Sequence, residues 1–130
     1  MSTPIVFPDV ELVVTTYLRS ALAEYGYPDI FVSNRRETQT QAVWVRRDGG
    51  PTLDVVREAA RLGVNVFDAT EQKVANLAQT LCALMRIAAD GTPIVRVQQT
   101  SGPSPIADST PRRYMTFEVV VRGEELQPTP

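Results

Sequence analysis

RLGVNVFDATEQKVANLAQTL, residues 61–81, runs from a strand directly into a helix. After Gly63, Val64, Val66 and Phe67 are strand formers. Asp68 or Thr70 then supplies an N-cap, with Glu71, three residues after Asp68, placed to reach back. Beyond the cap, Val74, Leu77, Ala78, Leu81, Leu84, Met85 and Ala88 recur at helical spacing. They predict a helix over residues 70–89 with one buried stripe. A strand-to-helix turn can cradle a nucleotide phosphate when glycines let the backbone approach it. FDATEQ has no glycine, and Asp68 and Glu71 would repel a phosphate. The turn therefore reads as a joint in a scaffold, with Val64, Val66, Leu77 and Leu81 buried.

Toward the N-terminus, PTLDVVREAARLG is read as a short amphipathic helix, with Leu53, Val56, Ala59, Ala60 and Leu62 inward and Gly63 as C-cap; an extended start is the alternative. DIFVSN and QAVWVRRD read as two strands joined through RRETQTQ, a polar stretch of hairpin-loop size. Val43 and Val45 point to one side, Ala42, Trp44 and Arg46 to the other. The first long element is a helix after Pro8. Asp9 caps it, Val10, Val13, Val14, Tyr17, Leu18, Ala21, Leu22 and Tyr25 form its apolar face, and Gly26 and Pro28 end it.

Toward the C-terminus, PIVRVQQT and RRYMTFEVVVRG are strands. Met115, Phe117, Val119 and Val121 face one way, Tyr114, Thr116, Glu118 and Val120 the other. SGPSPIADSTP joins them as a proline-rich loop of about eleven residues, longer than a usual hairpin connection. The expected fold class is α+β: a single small domain with a mixed, mostly antiparallel sheet of about four to five strands and two main helices packed on it. Residues 1–7 form an N-terminal arm, 8–123 the domain and 124–130 a flexible tail.

The 130 residues are 43% hydrophobic and 22% charged, as expected for one globular domain. A net charge of −2 argues against nucleic-acid binding by bulk electrostatics. No apolar run reaches the ~20 residues that span a bilayer, and the N-terminal residues do not resemble a secretory signal. A soluble protein made in a cytoplasm is expected. Histidine is absent and Cys82 is alone, which removes Ser-His and Cys-His pairs and cysteine metal clusters. Ser20, Ser33 and Ser101 lack a partner base, and Lys73 lies on the exposed side of its helix. The acids are scattered, so no metal, cofactor or catalytic residue is expected. Cys82 and Trp44 read as packing residues.

What remains are loops and three arginine pairs, Arg35–Arg36, Arg46–Arg47 and Arg112–Arg113. Arginine favours planar contacts with carboxylate or phosphate, and loops on a rigid scaffold carry contacts. The candidate interface residues are Arg35, Arg36, Glu37, Gln39, Gln41, Arg46, Arg47, Pro103, Pro105, Ile106, Arg112 and Arg113. This pattern suits a protein that binds other proteins and performs no chemistry.

The order of elements, with RRDGG, ARLGVNVFDATEQ and the following Ala-x-x-Leu-Ala at its centre, resembles the tail terminator proteins of long, non-contractile-tailed bacteriophages. The likeness covers roughly residues 5–123. It implies a ring, usually of six subunits, on the head-proximal end of the tail tube. Such a ring stops polymerisation of the major tail tube protein, presents the surface for the head–tail connector or stopper, and lets phage DNA pass without sequence-specific binding. It implies no enzymatic activity, cofactor or membrane contact. It also implies a place in the virion tail after synthesis in the host bacterial cytoplasm. The segments Arg35 to Gln41 and Ser101 to Pro111 are the implied contacts with ring neighbours or the tube. The alternatives are another head–tail connector protein, a stopper or adaptor, or a small nucleic-acid-binding α+β protein using its arginine pairs.

Overall fold

The strand of the opening stretch is longer than its sequence suggests. In the computed structural model, which describes residues 3–36, 38–91 and 93–129, it runs from Arg57 to Phe67. The elements in order are β1 (Ile5–Val6), α1 (Val10–Glu24), β2 (Phe31–Ser33), β3 (Ala42–Arg47), β4 (Arg57–Phe67), α2 (Glu71–Arg86), β5 (Ile94–Ile106), β6 (Arg112–Arg122) and β7 (Glu124–Glu125). Five strands form one sheet in the order β2-β3-β4-β6-β5, and β1 and β7 form a separate two-stranded ribbon. Within the large sheet only β2 and β3 run parallel. The fold is a small single-domain α+β structure with two helices packed on a mixed, mostly antiparallel sheet.

Alternation along the strands builds the core. Ala60, Leu62, Val64 and Val66 of β4, and Met115, Phe117, Val119 and Val121 of β6, face the helices. They meet Val14, Leu18 and Leu22 of α1 and Leu77, Leu81 and Met85 of α2, all buried. Each large aliphatic side chain so enclosed contributes about 2 kcal/mol of transfer free energy. The Tyr17 hydroxyl donates to the Leu84 carbonyl at 2.6 Å and ties α1 to α2. Both helices are capped: Asp9 Oδ1 accepts from Leu12 N at 3.2 Å, and Thr70 Oγ1 from Lys73 N at 3.1 Å.

Five expectations are corrected. Residues 57–63 are strand, not helix: β4 lies between β3 and β6 and is hydrogen-bonded along both edges. Ala60 is buried in the core and Ala59 on the other face under the chain around Gly50 and Pro51, so two successive buried residues imitate a helical stripe. Gly63 is not a C-cap but a mid-strand residue. A Cβ there would lie 2.8 Å from the Tyr114 hydroxyl and 2.9 Å from Asp48 Oδ2. β2 and β3 are not a hairpin. Phe31 is paired with Ala42 and Ser33 with Trp44 in parallel register. β2 is only three residues long, so the connection 34–41, which can reach roughly 26–29 Å, suffices to return the chain.

SGPSPIADSTP is not all loop either, because β5 continues through Ser101–Ile106 against β6, past three register shifts. β5 is an edge strand, where proline's missing N–H costs no ladder bond on the outer side. Finally, among the described residues the segments expected as arm and tail pair with each other. Ile5 and Val6 pair with Glu125 and Glu124, and Leu126 N donates to the Pro4 carbonyl at 2.8 Å.

Candidate assembly interface

One end of the large sheet gathers three connections: 34–41 between β2 and β3, 68–70 between β4 and α2, and 107–111 between β5 and β6. Phe67, the last residue of β4, is buried there between two arginines. The guanidinium of Arg36 lies over its ring at 4.9 Å and that of Arg112 at 5.5 Å. Each such cation–π contact is worth about 0.5–1 kcal/mol near a surface. Asp108 binds both cations, Arg36 Nη2 at 2.7 Å and Arg112 Nη1 at 3.1 Å. Thr110 N also donates to it at 3.3 Å. The hydrogen bond from Arg36 leads, with those from Thr110 N and Arg112, in holding the Asp108 carboxyl well below the usual carboxylate range. Arg112 Nε completes its fork on Asn65 Oδ1 at 2.8 Å.

The cap of α2 sits beside this clamp. Asp68 is buried and turned inward, accepting from Ala69 N at 2.7 Å and Gln41 Nε2 at 3.1 Å. Glu71 does not reach back to Asp68; it accepts from Arg113 Nη1 at 2.7 Å. Thr70 is thus left as the cap.

The structure brings Arg36, Gln41, Ile106, Arg112 and Arg113 together at this end, with Arg35 and Gln39 exposed on the 34–41 connection and Pro105 one residue along β5. Glu37 lies outside the described residues. Pro103 stands farther back along β5, after the cis Gly102–Pro103 peptide. Arg46 and Arg47 are elsewhere, opposite Gly63 and Leu62 in mid-sheet. Arg46 lies over Trp44 at 5.4 Å and donates to Asp48 Oδ1 at 2.9 Å. The guanidinium of Arg47 reaches Glu58 Oε1 at 2.8 Å, and its backbone N–H donates to Glu11 Oε2 at 2.7 Å. Arg36, Arg46, Arg47, Arg112 and Arg113 are therefore engaged within the chain.

The opposite end exposes aliphatic side chains beside the acidic pair Glu124 and Glu125, and sequence reasoning missed the aliphatic cluster. Leu53, Val55 and Val56, at the tip of the connection from β3 to β4, are exposed, Val55 by 74%. Val6 and Leu126 of the terminal segments are exposed as well, and Gly123 N donates to the Val56 carbonyl at 2.9 Å, joining tip and ribbon. The signal that could have found the tip is Asp54. Its Oδ1 accepts from Val56 N at 3.0 Å and Arg57 N at 2.8 Å, the local turn that aspartate favours over a helix interior.

Compared with known proteins, the chain matches no protein-family model and no curated protein. Among the described residues no helix is long and apolar enough to cross a membrane, and no group of three or more His, Cys, Asp or Glu side chains is placed to hold a metal ion.

Proposed function

We propose that this chain is a tail terminator of a long, non-contractile-tailed bacteriophage, a virion structural protein without enzymatic activity. It forms a ring, with six subunits the expected number, on the head-proximal end of the tail tube. There it stops polymerisation of the major tail tube protein and offers the surface that the head–tail connector joins. DNA passes through the ring without being read.

The observation that carries this reading is the division of one small surface into unlike patches. One end is an arginine–aspartate clamp whose charges are satisfied internally, and the other is a cluster of uncovered aliphatic side chains, Leu53, Val55, Val56, Val6 and Leu126. Unlike patches on one subunit allow head-to-tail contacts, which close into a ring where the rotation from copy to copy divides a full turn. The sequence likeness centred on RRDGG and ARLGVNVFDATEQ supports the same reading.

Depleting the protein during phage assembly tests it. Tails grown beyond their normal length, measured by negative-stain electron microscopy, are the expected result. Tails of normal length that lack heads would overturn it and assign the chain to a stopper or adaptor.

A further inference from the structure

Arg36, Arg46, Arg47, Arg57, Arg112 and Arg113 hold ion pairs of 3.1 Å or shorter, whereas on the helix-free face of the large sheet Arg61 has none among the described residues and Arg96 only a long one. Arg61 lies on β4 between Ala60 and Leu62, whose side chains fill the core, so its own side chain points away from the helices. It is exposed and has no ion pair or side-chain hydrogen bond among the described residues, although Glu118 is its cross-strand neighbour. Arg96, on the edge strand β5, is 62% exposed; it approaches Glu118 only to 4.0 Å and otherwise donates to Gln98 at 2.9 Å. Beside Arg61 runs a groove of about 250 Å³ lined also by Asp48, Thr100, Thr116 and Glu118.

The terminal ribbon carries the opposite sign. Glu124 and Glu125 are exposed and have no ion-pair partner among the described residues. Val6 and Leu126 beside them are exposed too. One cation, Arg122, shares a hollow of about 200 Å³ with Glu124, so the ribbon keeps a net acidic character. Arg61 cannot meet these carboxylates within one chain. It stands five residues along β4 from Val56, where the ribbon joins, and that is roughly 16 Å of strand.

We propose that the helix-free face takes the acidic terminal ribbon of a second copy of this chain, Arg61 and Arg96 pairing with its Glu124 and Glu125. This rests on the ring reading given above. Charge complementarity selects the occupant: both halves of the pair are on the same chain and exposed, and Arg61 is too far from the ribbon of its own chain to meet it. Arginine binds carboxylates through two parallel N–H donors, which fixes orientation as well as partner. The contact joins unlike patches, so a joined pair keeps one free face and one free ribbon, and addition continues until a ring closes.

A charge-swap set on the full chain tests the proposal, each variant first checked for an unchanged thermal melt. Association is followed by sedimentation velocity at low and high salt, alone and with isolated tail tubes. Arg61→Glu with Arg96→Glu should weaken association at least tenfold, and so should Glu124→Arg with Glu125→Arg. Combining all four should restore it, and salt should weaken the wild-type contact. In a separate variant, Arg61→Cys with Glu125→Cys should yield disulfide-linked oligomers under oxidation. Variants that associate as well as the wild type, four-fold variants that stay dissociated, or a wild type that remains monomeric both alone and on tubes would each overturn the proposal. Rings that form by this contact but leave tube length uncontrolled would retire the tail-terminator reading and keep the interface.

Discussion

At the scale of the residue, Asp108 and Gly50 show two ways in which one position organises its surroundings. Asp108 is held by two arginines and one backbone N–H, all of which favour its charged form. Its folded carboxyl titrates below the ordinary value near pH 4, so its contribution to stability is complete above about pH 4 and is lost as pH falls from there. The melting temperature of Asp108→Asn should lie below the wild type by a constant margin from pH 7 to 5. That margin should narrow as pH drops below about 4, as read by circular dichroism. Gly50 has φ 122°, and a Cβ there would lie 2.0 Å from the Ala59 carbonyl oxygen. Gly50→Ala meets both backbone strain and a backbone collision and should cost at least about 2 kcal/mol in chemical denaturation. In the sequence Asp108 is one residue of the proline-rich stretch expected as a loop. Asp108 has its most important partner, Arg36, 72 positions away in the chain, and no local pattern announces such a contact.

At the scale of the element, legibility followed how far each segment depended on its own sequence. The helices α1 and α2 are amphipathic, capped by Asp9 and Thr70, and began and ended close to where spacing placed them. The alternation in β6 sorted its two faces correctly, since Met115, Phe117, Val119 and Val121 are all buried. β4 failed that test because Ala59, Gly63, Asn65 and Phe67 on its helix-free side are buried as well, which blurs the alternation. β2 failed because its direction depends on its neighbour: three residues carry no mark of parallel or antiparallel pairing. The candidate contact residues were legible only as arginines in loops; that most of them pair internally depends on acids brought in by distant elements. Energetically, packing should outweigh capping in α2. Leu81→Ala, which empties a fully buried position, should cost about 2–5 kcal/mol, and Thr70→Ala, which removes one cap bond, about 1 kcal/mol. Urea unfolding of the two variants measures both.

At the scale of the whole molecule, the sheet order matters as much as the sheet itself. β6, near the end of the chain, lies between β4 and β5 and pairs with β4 along the entire span from Arg57 to Phe67. A chain ending before Arg112 would leave the long backbone edge of β4 unpaired and remove Met115, Phe117, Val119 and Val121 from the core. Such a fragment should show no cooperative thermal transition and should aggregate, an outcome that light scattering and calorimetry would record. The same strand order has a consequence during synthesis. As the polypeptide leaves the ribosome, the segments through β5 emerge with the central gap of their sheet unfilled, and only β6, made after them, can close it. Until then β4 is an open template, so the time the ribosome takes to add β6 is the window in which a nascent chain is exposed to its neighbours. Closing that window also pairs β7 with β1, so the two ends of the polypeptide meet in the same late step that completes the sheet.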